Sequence, residues 1–410
     1  MPFLRLRLRE PILRALREEG YAAPTPIQAE SIPHVIAGRD VLAIAQTGTG
    51  KTAAFVLPIL ERLAEAGPPP SRRHVRVLVL APTRELASQV GQSFADYGRH
   101  LPFRRTVVFG GVSQRPQADA LYHGVDILVA TPGRLLDLMG QRRANLTHVQ
   151  ILVLDEADRM LDMGFMPDVQ RILSAIPPKR QTLFFSATMP REAQRLADRI
   201  LVDPVRVEVA PSATTVEKVA QSVFFVAKGD KPRLLEHLLS DAAIPRALVF
   251  VRTKHGADRL AKSLVKAGVD ADAIHGSKSQ GRRERTLGAF RSGGTRVLVA
   301  TDIAARGLDV EGITHVVNYD LPNEPEAYVH RIGRTARAGA TGIALSFCDP
   351  SEEGFLRDIE RATRVRLGVV VDHPFRNVHA RAVAAPAAAR HPAARHPAAR
   401  GRHVQRWRRR

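Results

Sequence analysis

The sequence has few cysteines, few aromatic residues and no long apolar run. Its 410 residues include one cysteine, Cys348, and aromatic residues make up 5%. A single thiol excludes an intramolecular disulfide and a cysteine-based zinc site, so we expect a reducing compartment, the cytoplasm. No apolar run approaches the roughly 18 residues that a membrane span needs, and we expect no membrane partner. The first ten residues alternate Leu with Arg, unlike a secretory signal.

Acidic residues are also scarce relative to basic ones. The sequence has 61 Lys and Arg against 41 Asp and Glu, a formal net charge of +20. Such a charge favours a polyanionic partner or a membrane surface and does not select a fold. The remaining composition, 44% hydrophobic and 25% charged, excludes a mainly disordered or collagen-like chain. The length suggests two to three domains.

Short apolar runs that end in polar motifs predict an α/β fold. These runs lie at 75–82, 126–132, 150–158, 181–188, 246–253, 295–302 and 313–320. Continuous runs of Val, Leu, Ile and Phe, with helix-like segments between them, are typical of buried parallel strands. They predict doubly wound parallel sheets, whose ligands bind at the carboxyl ends of the strands. ILVATPGR at 127–134 resembles VLVATDIAARG at 297–307, which suggests two similar domains in tandem.

Changes in composition define the expected domain boundaries. We expect a first domain at 1–207, a linker at 208–217, a second domain at 218–365 and a tail at 366–410. The linker contains Pro, Ser and Thr and has no apolar period. The stretch 376–410 has ten arginines and no acid. Such a sequence cannot bury enough apolar area to fold, so we predict a disordered basic tail.

Residues 45–52, Ala-Gln-Thr-Gly-Thr-Gly-Lys-Thr, follow an apolar run and precede a segment that can open a helix. This setting is typical of a phosphate-binding loop, although Ala45 replaces the usual first glycine. The glycines let consecutive N–H groups point at a phosphate, and the helix N-terminus adds positive potential. Lys51 is then expected on the β- and γ-phosphates and the Thr52 hydroxyl on Mg²⁺. The alternative is a glycine-rich turn with a surface lysine.

Asp155-Glu156-Ala157-Asp158 follows the apolar run ILVL. A carboxylate directly after a buried strand is unfavourable unless it binds a metal or another partner. Asp155 is placed to bind Mg²⁺, and Glu156 can take a proton from an attacking water. The alternative is an acidic helix cap, but with the loop at 45–52 the motif forms a Walker A and Walker B set. The 15 histidines are scattered, so no other metal is expected.

Together these motifs resemble those of the DEAD-box family of ATP-dependent RNA helicases, most closely its bacterial RhlE-type branch. The resemblance covers about residues 3–345, with the motifs in the family's order. It implies two tandem RecA-like domains, ATP and Mg²⁺ as cofactors, and hydrolysis of ATP to ADP and phosphate. It also implies sequence-independent binding of single-stranded and short duplex RNA, with separation of short duplexes or remodelling of RNA–protein complexes. Ribosomal and RNA-decay assemblies are compatible partners.

The resemblance implies a nucleotide site in the cleft between the domains. Its adenine-reading motif includes Phe3, Tyr21 and Gln28; an amide suits the adenine edge and an aromatic ring can stack on the base. The implied nucleotide contacts are Phe3, Tyr21, Gln28, Ala45, Gln46, Thr47, Gly48, Thr49, Gly50, Lys51, Thr52 and Asp309. The implied catalytic residues are Lys51, Asp155, Glu156, Arg334 and Arg337. The two arginines lie three apart, so both could reach a γ-phosphate from one helical face; a surface arginine cluster is the alternative.

The resemblance also implies an RNA surface and a coupling motif. The implied RNA contacts are Pro82, Thr83, Arg84, Gly110, Gly111, Thr131, Pro132, Gly133, Arg134, Arg252, Thr253, His275, Gly276, Arg283, Thr301 and Arg306. Helix N-termini, glycine backbones and arginines suit phosphate oxygens and carry no base information. Ser186 and Thr188, with Asp158, match the motif that couples hydrolysis to strand separation; strand-end capping is the alternative. The family more often has glycine in place of Ala336.

Two other functions remain open from the sequence. One is a DNA-directed motor of the same superfamily, which the adenine-reading motif and the DEAD sequence disfavour. The other is an ATP-gated RNA clamp or annealing factor, which the arginine-rich tail would suit. The presence of Glu156 and Arg337 favours turnover of ATP over a pure clamp.

Overall fold

The computed structural model describes residues 3–46, 48–67, 74–209, 219–241, 243–305, 310, 312–336 and 342–376. These residues form two seven-stranded sheets, each covered by helices. No helix among them is long and apolar enough to cross a membrane.

The first sheet has the strand order β3-β4-β2-β5-β6-β1-β7, and all its strands are parallel. Its strands are β1 Val41–Ile44, β2 Val77–Leu80, β3 Arg105–Val108, β4 Ile127–Ala130, β5 Ile151–Leu154, β6 Gln181–Ser186 and β7 Val205–Glu208. Its helices are α1 Glu10–Glu18, α2 Pro26–Ile36, α3 Lys51–Glu65, α4 Arg84–Tyr97, α5 Arg115–His123, α6 Pro132–Gly140, α7 Ala157–Asp162, α8 Met166–Ser174 and α9 Arg191–Ile200, after a 3-10 turn at Phe3–Leu6.

Two apolar cores cover the two faces of the first sheet. Because side chains alternate along a strand, Val77 and Val79 point into one core and Leu78 and Leu80 into the other. The first core is closed by helices α1 to α4 and the second by helices α5 to α9. Burial on both faces explains why the central strands are continuous apolar runs in the sequence.

The second sheet has the strand order β10-β11-β9-β12-β13-β8-β14, again all parallel. Its strands are β8 Val219–Phe225, β9 Ala247–Phe250, β10 Ala271–Ile274, β11 Val297–Ala300, β12 His315–Asn318, β13 Gly342–Cys348 and β14 Gly368–Val369. Its helices are α10 Lys231–Leu239, α11 Lys254–Lys266, α12 Gln280–Arg291, α13 Asp302–Ala305, α14 Pro325–Ile332 and α15 Glu353–Thr363, with a 3-10 turn at Pro350–Glu352.

The two sheets have the same topology. Adding seven to each strand number of the first sheet gives the strand order of the second. The two resembling segments, ILVA in β4 and VLVA in β11, therefore occupy equivalent places. The prediction of two tandem parallel-sheet domains is confirmed.

The folded part of the second domain reaches beyond its expected end. Strand β14 pairs with β8, and Arg376 forms an antiparallel bridge with Val226. The prediction of a disordered tail from 366 is therefore wrong for 366–376. A two-residue strand such as β14 is too short to leave a recognisable pattern in the sequence. Strand β7 likewise includes Glu208, the first residue of the expected linker. The rest of that linker from 210, and the arginine-rich 377–410, lie outside the described residues.

Candidate active site between the two sheets

The loop between β1 and α3 is shaped by two glycines. Gly48 and Gly50 have φ of 85° and 93°, left-handed values that favour glycine. The loop encloses the buried side chain of Lys51, whose Nζ donates to the carbonyl oxygen of Ala45 at 2.6 Å. Lys51 and the half-buried Thr52 open α3, so the loop leads directly into a helix N-terminus, which favours anions.

Thr49 stabilises the same loop, because its Oγ1 donates to the carbonyl oxygen of Gln46 at 2.8 Å. Thr47 lies outside the described residues. The backbone geometry of the loop fits a phosphate group.

Gln28 joins α2 to this loop. Its Oε1 accepts from the Thr25 N–H at 3.0 Å, and its Nε2 donates to the Gly50 carbonyl oxygen at 3.1 Å. A β-carbon at Gly50 would collide with the Gln28 amide. Both polar ends of the amide therefore bind protein in this structure, and an adenine edge would have to replace one of these bonds.

The two aromatic residues expected at the adenine differ in exposure. Phe3 packs in the first core and is 5% exposed. Tyr21 is 42% exposed, and its hydroxyl accepts from the Tyr97 hydroxyl at 3.1 Å. Tyr21 is thus the more accessible ring of the two.

The turn after β5 carries two buried carboxylates. Asp155 and Glu156 are 2% and 3% exposed. Burial, with a smaller contribution from the charge of Glu156, raises the pKa of Asp155 to about 7, against the opposing charge of Lys51. A buried carboxylate that is hard to ionise without a cation fits a Mg²⁺ site, because a divalent ion would supply the missing charge.

Glu156 begins α7 with a left-handed backbone, φ 52° and ψ 52°. Its Oε2 accepts from Nη1 of Arg159 at 2.7 Å, and both side chains are 4% exposed. The carboxylate is therefore held at the helix N-terminus by the guanidinium one turn further along.

Asp158 connects this turn to the end of β6. Its Oδ2 accepts from the Thr188 N–H at 2.8 Å and from Thr188 Oγ1 at 2.9 Å. Its own N–H donates to Ser186 Oγ at 3.2 Å. Burial alone would raise the pKa of Asp158, but the charge of Lys51 and the bonds from Thr188 and Ser186 lower it overall. Asp158 therefore stays ionised and fixes the two strand ends together.

Residues of α14 in the second domain face this turn across a small cavity. The cavity is lined by Arg159 of the first domain and by Phe250, Asp302, Ala305, Ala327, His330, Arg331 and Arg334 of the second. Arg331 is held by Asp302 through Nε and Nη2, at 2.6 and 2.7 Å. Arg334 is 3% exposed. Burial, and then the positive charge of Arg159, lowers the pKa of His330 to about 4, so its ring is neutral near pH 7.

In the first domain the expected RNA contacts of three motifs converge. The Arg84 guanidinium lies against Gly110 and Gly111, so that a β-carbon at Gly111 would collide with it. Arg134 donates from Nη2 to the Val112 carbonyl oxygen at 3.1 Å. Burial, and then the charges of Arg283 and Arg134, lowers the pKa of Arg84. Positive charge is therefore concentrated at this edge.

The remaining first-domain positions are helix starts. Thr83, which follows Pro82, caps α4 by accepting from the Leu86 N–H at 3.2 Å. Thr131 precedes α6, whose first residues are Pro132 and Gly133. A β-carbon at Gly133 would meet open space, which leaves this N-terminus accessible to a backbone phosphate.

In the second domain several expected RNA contacts already have protein partners. Arg252 donates from Nη2 to Glu352 Oε1 at 3.0 Å and to the Leu321 carbonyl oxygen at 3.1 Å. The buried His275, which precedes Gly276, has Nε2 2.9 Å from Asp258 Oδ2. Thr253 precedes α11, and its Oγ1 accepts from the Gly256 N–H at 3.0 Å. Thr301 precedes α13, and its carbonyl oxygen accepts from the Ala304 N–H at 3.0 Å. Arg306, Asp309 and Arg337 lie outside the described residues.

Arg283 makes an ion pair across the two domains. Its Nη2 lies 2.8 Å from Glu85 Oε1, and the two side chains are 8% and 6% exposed. Sequence reasoning missed Glu85 and Arg159 as members of the site. The only signal for Arg159 was its position three residues after Glu156, a spacing that brings side chains together on a helix.

A phosphate loop beside a buried acidic turn, in one of two tandem parallel sheets, defines a two-domain P-loop nucleoside triphosphatase. Residues 25–196 match the DEAD/DEAH box helicase family and residues 230–339 the helicase conserved C-terminal domain.

Sequence relatives agree with these matches. The DEAD-box ATP-dependent RNA helicase CshA of Bacillus cereus is 44% identical over 365 residues, 89% of this chain and 69% of the relative. CshA of Bacillus subtilis is 43% identical over 365 residues, 89% of this chain and 73% of its own. The chain therefore belongs to the DEAD-box family of ATP-dependent RNA helicases and is an RNA helicase and ATPase.

Solved structures show the same architecture. S. cerevisiae Dbp5 bound to RNA and ADP BeF3 superposes with a TM-score of 0.78 at 30% identity, covering 90% of this chain and 95% of Dbp5. Mss116p bound to ssRNA and AMP-PNP gives a TM-score of 0.79 at 28% identity, covering 88% and 77%.

Proposed function

We propose that the chain hydrolyses ATP between its two domains and uses the cycle to remodel RNA. The observation that supports this most directly is the cavity between Arg159, which is bonded to Glu156 in one domain, and His330 and Arg334 of the other. A nucleotide in the phosphate loop would present its γ-phosphate to the acidic turn, and arginines of the second domain lie across from that turn.

Each residue has a proposed task. Lys51 binds the β- and γ-phosphates once its side chain leaves the Ala45 carbonyl oxygen. Glu156 orients the attacking water and accepts its proton. Arg334 and Arg337 stabilise the charge on the transferred phosphoryl group, an effect worth roughly 10³–10⁵ in rate in related enzymes.

Asp155 and Thr52 would hold Mg²⁺. The chemistry that Mg²⁺ would supply there is neutralisation of phosphate charge. Asp155 supplies the buried carboxylate whose ionisation needs such a partner. Thr52 supplies a hydroxyl at the start of α3.

RNA is proposed to bind the positive edge around Arg84 and Arg134, continued by the helix starts at Thr131, Thr253 and Thr301. The contacts available there are guanidinium groups and helix N-termini, which recognise phosphate and not base. This supports sequence-independent binding, and separation of short duplexes or remodelling of RNA–protein complexes follows as the proposed outcome. The solved structures of Dbp5 with RNA and ADP BeF3 and of Mss116p with ssRNA and AMP-PNP are consistent with it.

We propose the RhlE-type branch for this chain, which its motifs resemble, although the relatives from Bacillus are named CshA. The single cysteine is the basis for proposing the cytoplasm, and ribosomal or RNA-decay assemblies are proposed as the setting. The proposed domains span 1–207 and 218–365, with the second extended to Arg376.

The role of Glu156 is tested by Glu156→Gln. We expect ATP hydrolysis to fall by roughly 10²–10⁴-fold, the usual contribution of a positioned base, while ATP and RNA binding persist, because the amide keeps the shape of the side chain. Steady-state phosphate release measures the first effect, and equilibrium binding of a labelled nucleotide and RNA the second. Glu192→Gln, an exposed change on α9, is the matched control.

Near-normal phosphate release from Glu156→Gln would remove Glu156 from the base role. Unwinding of a short duplex with ATP but not with a non-hydrolysable analogue would support a helicase cycle. Equal unwinding or annealing with both nucleotides would favour the ATP-gated clamp. Stimulation of the ATPase by DNA as strongly as by RNA would favour a DNA-directed motor.

A further inference from the structure

The Glu156 carboxylate has one engaged and one open oxygen. Oε2 accepts from Arg159 at 2.7 Å, whereas Oε1 has no hydrogen-bond partner within the described part of the chain. Glu156 precedes α7 with a left-handed backbone, and its side chain is 4% exposed. The bond from Arg159 is therefore the contact that orients this carboxylate.

Arg159 is buried, with a side chain that is 4% exposed. Its backbone N–H donates to Asp158 Oδ1 at 3.0 Å, and its guanidinium bonds Glu156. Its guanidinium lies at the cavity shared with His330, Arg331 and Arg334 of the second domain. It is close enough to His330 that its charge helps to lower the pKa of that ring. Arg159 therefore contacts the Glu156 carboxylate and faces the second domain at the same time.

We infer that Arg159 is a positioning residue for Glu156: it anchors Oε2 so that Oε1 is presented to the attacking water, at the cavity that the first domain shares with the second. The inference rests on the proposed role of Glu156 as the base. A base must lie within hydrogen-bond reach of the proton that it takes, and a small displacement of a reacting group lowers the rate steeply. One anchored oxygen and one open oxygen give this carboxylate a defined orientation.

Loss of Arg159 should change the catalytic rate and not the affinity for the nucleotide. Arg159 is bonded to the proposed base, so its loss should lower kcat and leave the KM for ATP unchanged. We expect Arg159→Ala to lower the RNA-stimulated kcat by about 10- to 100-fold, the usual cost of a misplaced reacting group. Arg159→Lys, which keeps the charge on a shorter reach, should recover part of the rate.

A matched control distinguishes positioning from helix stabilisation. Arg171 makes a similar ion pair three residues from Asp168 on α8, at 3.0 Å, but Arg171 is exposed. Arg171→Ala should leave kcat unchanged. A purely structural Arg159 would lower the melting temperature of Arg159→Ala while its kcat stayed at the wild-type value, and this result would overturn the inference.

A double-mutant comparison separates this inference from the proposed function. If Arg159 acts through Glu156, Arg159→Ala should have no further effect on single-turnover hydrolysis in the Glu156→Gln background. If Glu156→Gln loses ATPase activity while Arg159→Ala keeps the wild-type kcat, only the role of Arg159 is contradicted. If Glu156→Gln keeps its activity, the role of Glu156 as the base is contradicted. If Arg159→Ala hydrolysed ATP faster than the wild type in the absence of RNA, Arg159 would inhibit Glu156 and not position it for catalysis.

Discussion

Ala336 is held in a left-handed conformation, with φ of 56°. This conformation brings the β-carbon close to the backbone and costs an ordinary residue roughly 1–2 kcal/mol, a cost that glycine does not have. It explains in physical terms why glycine suits this position, close to the proposed catalytic Arg334 and Arg337. The methyl group of Ala336 is therefore a source of strain next to the site.

Ala336→Gly should stabilise the protein. The relief of strain exceeds the extra chain entropy that glycine gives the unfolded state, about 0.4–1 kcal/mol, so we expect a gain of up to about 1 kcal/mol. Thermal unfolding of the second domain measures it. Ala267→Gly is the matched control, because Ala267 ends α11 with an ordinary φ of −81° and should lose stability. A destabilised Ala336→Gly would show that the left-handed backbone is not strained.

Glu352 ties together several elements at the carboxyl end of the second sheet. Its Oε2 accepts from Lys231 Nζ at 2.6 Å, and its Oε1 accepts from Arg252 Nη2 at 3.0 Å and from the Leu321 N–H at 3.1 Å. Lys231 and Glu352 are 1% and 2% exposed. The cluster thus joins the start of α10 to the turns that follow β9, β12 and β13, and it fixes the guanidinium of Arg252.

Lys231→Met should destabilise the second domain by roughly 3–5 kcal/mol, because it leaves Glu352 buried without its nearest cation. The double variant Lys231→Met/Glu352→Gln should lose less than the sum of the two single changes, because Glu352, the carboxylate nearest to Lys231, then carries no charge. Calorimetry of the full chain measures both effects. Lys262→Met, an exposed change on α11, is the control. Additive single effects would contradict a coupled pair.

The strands that the sequence predicted lie in the interior of each sheet, although the interior strands β8 and β13 were not among the predicted runs. Runs such as 150–158 and 246–253 are apolar on both faces because β5 and β9 are covered by helices on both sides. Strands β3 and β10 lie at sheet edges and read RTVV and ADAI, so neither period nor composition marked them. The exposed two-residue β14 is shorter than any pattern that a sequence can show.

The parts of the candidate site that follow buried strands could also be predicted from the sequence. The phosphate loop and the acidic turn follow buried strands, and parallel strands bring their carboxyl ends to one edge. The partners of individual polar groups were not predictable, because they depend on side-chain directions. The Gln28 amide on Gly50, the Arg159 guanidinium on Glu156 and the Arg252 guanidinium on Glu352 are all contacts of this kind.

At the scale of the whole molecule, the two domains touch through charged groups. Arg283 of α12 meets Glu85 of α4 at 2.8 Å, in a place where Arg84 is also close. Removing one partner of such a buried pair costs much more stability than forming the pair contributes, because the remaining charge stays buried without a partner. The pair therefore acts as a selective contact between the domains, and Arg283 is not simply a free cation awaiting RNA.

Reversing these charges decides between the two tasks of Arg283. Glu85→Arg places two arginines against each other, so we expect the RNA-stimulated ATPase activity to fall about tenfold or more. We also expect the domains to separate. Small-angle scattering with RNA and a non-hydrolysable ATP analogue would then show a larger radius of gyration. The swap Glu85→Arg/Arg283→Glu restores an ion pair of opposite direction and should recover both readouts in part. If Arg283 instead serves as a phosphate contact, the swapped enzyme lacks that contact with RNA. Its ATPase then falls below that of the single variant, and its RNA affinity depends less steeply on salt. Recovery of ATPase activity in the swapped variant would show that this pair joins the domains. Further loss of activity would show that the domains only lie side by side at this place.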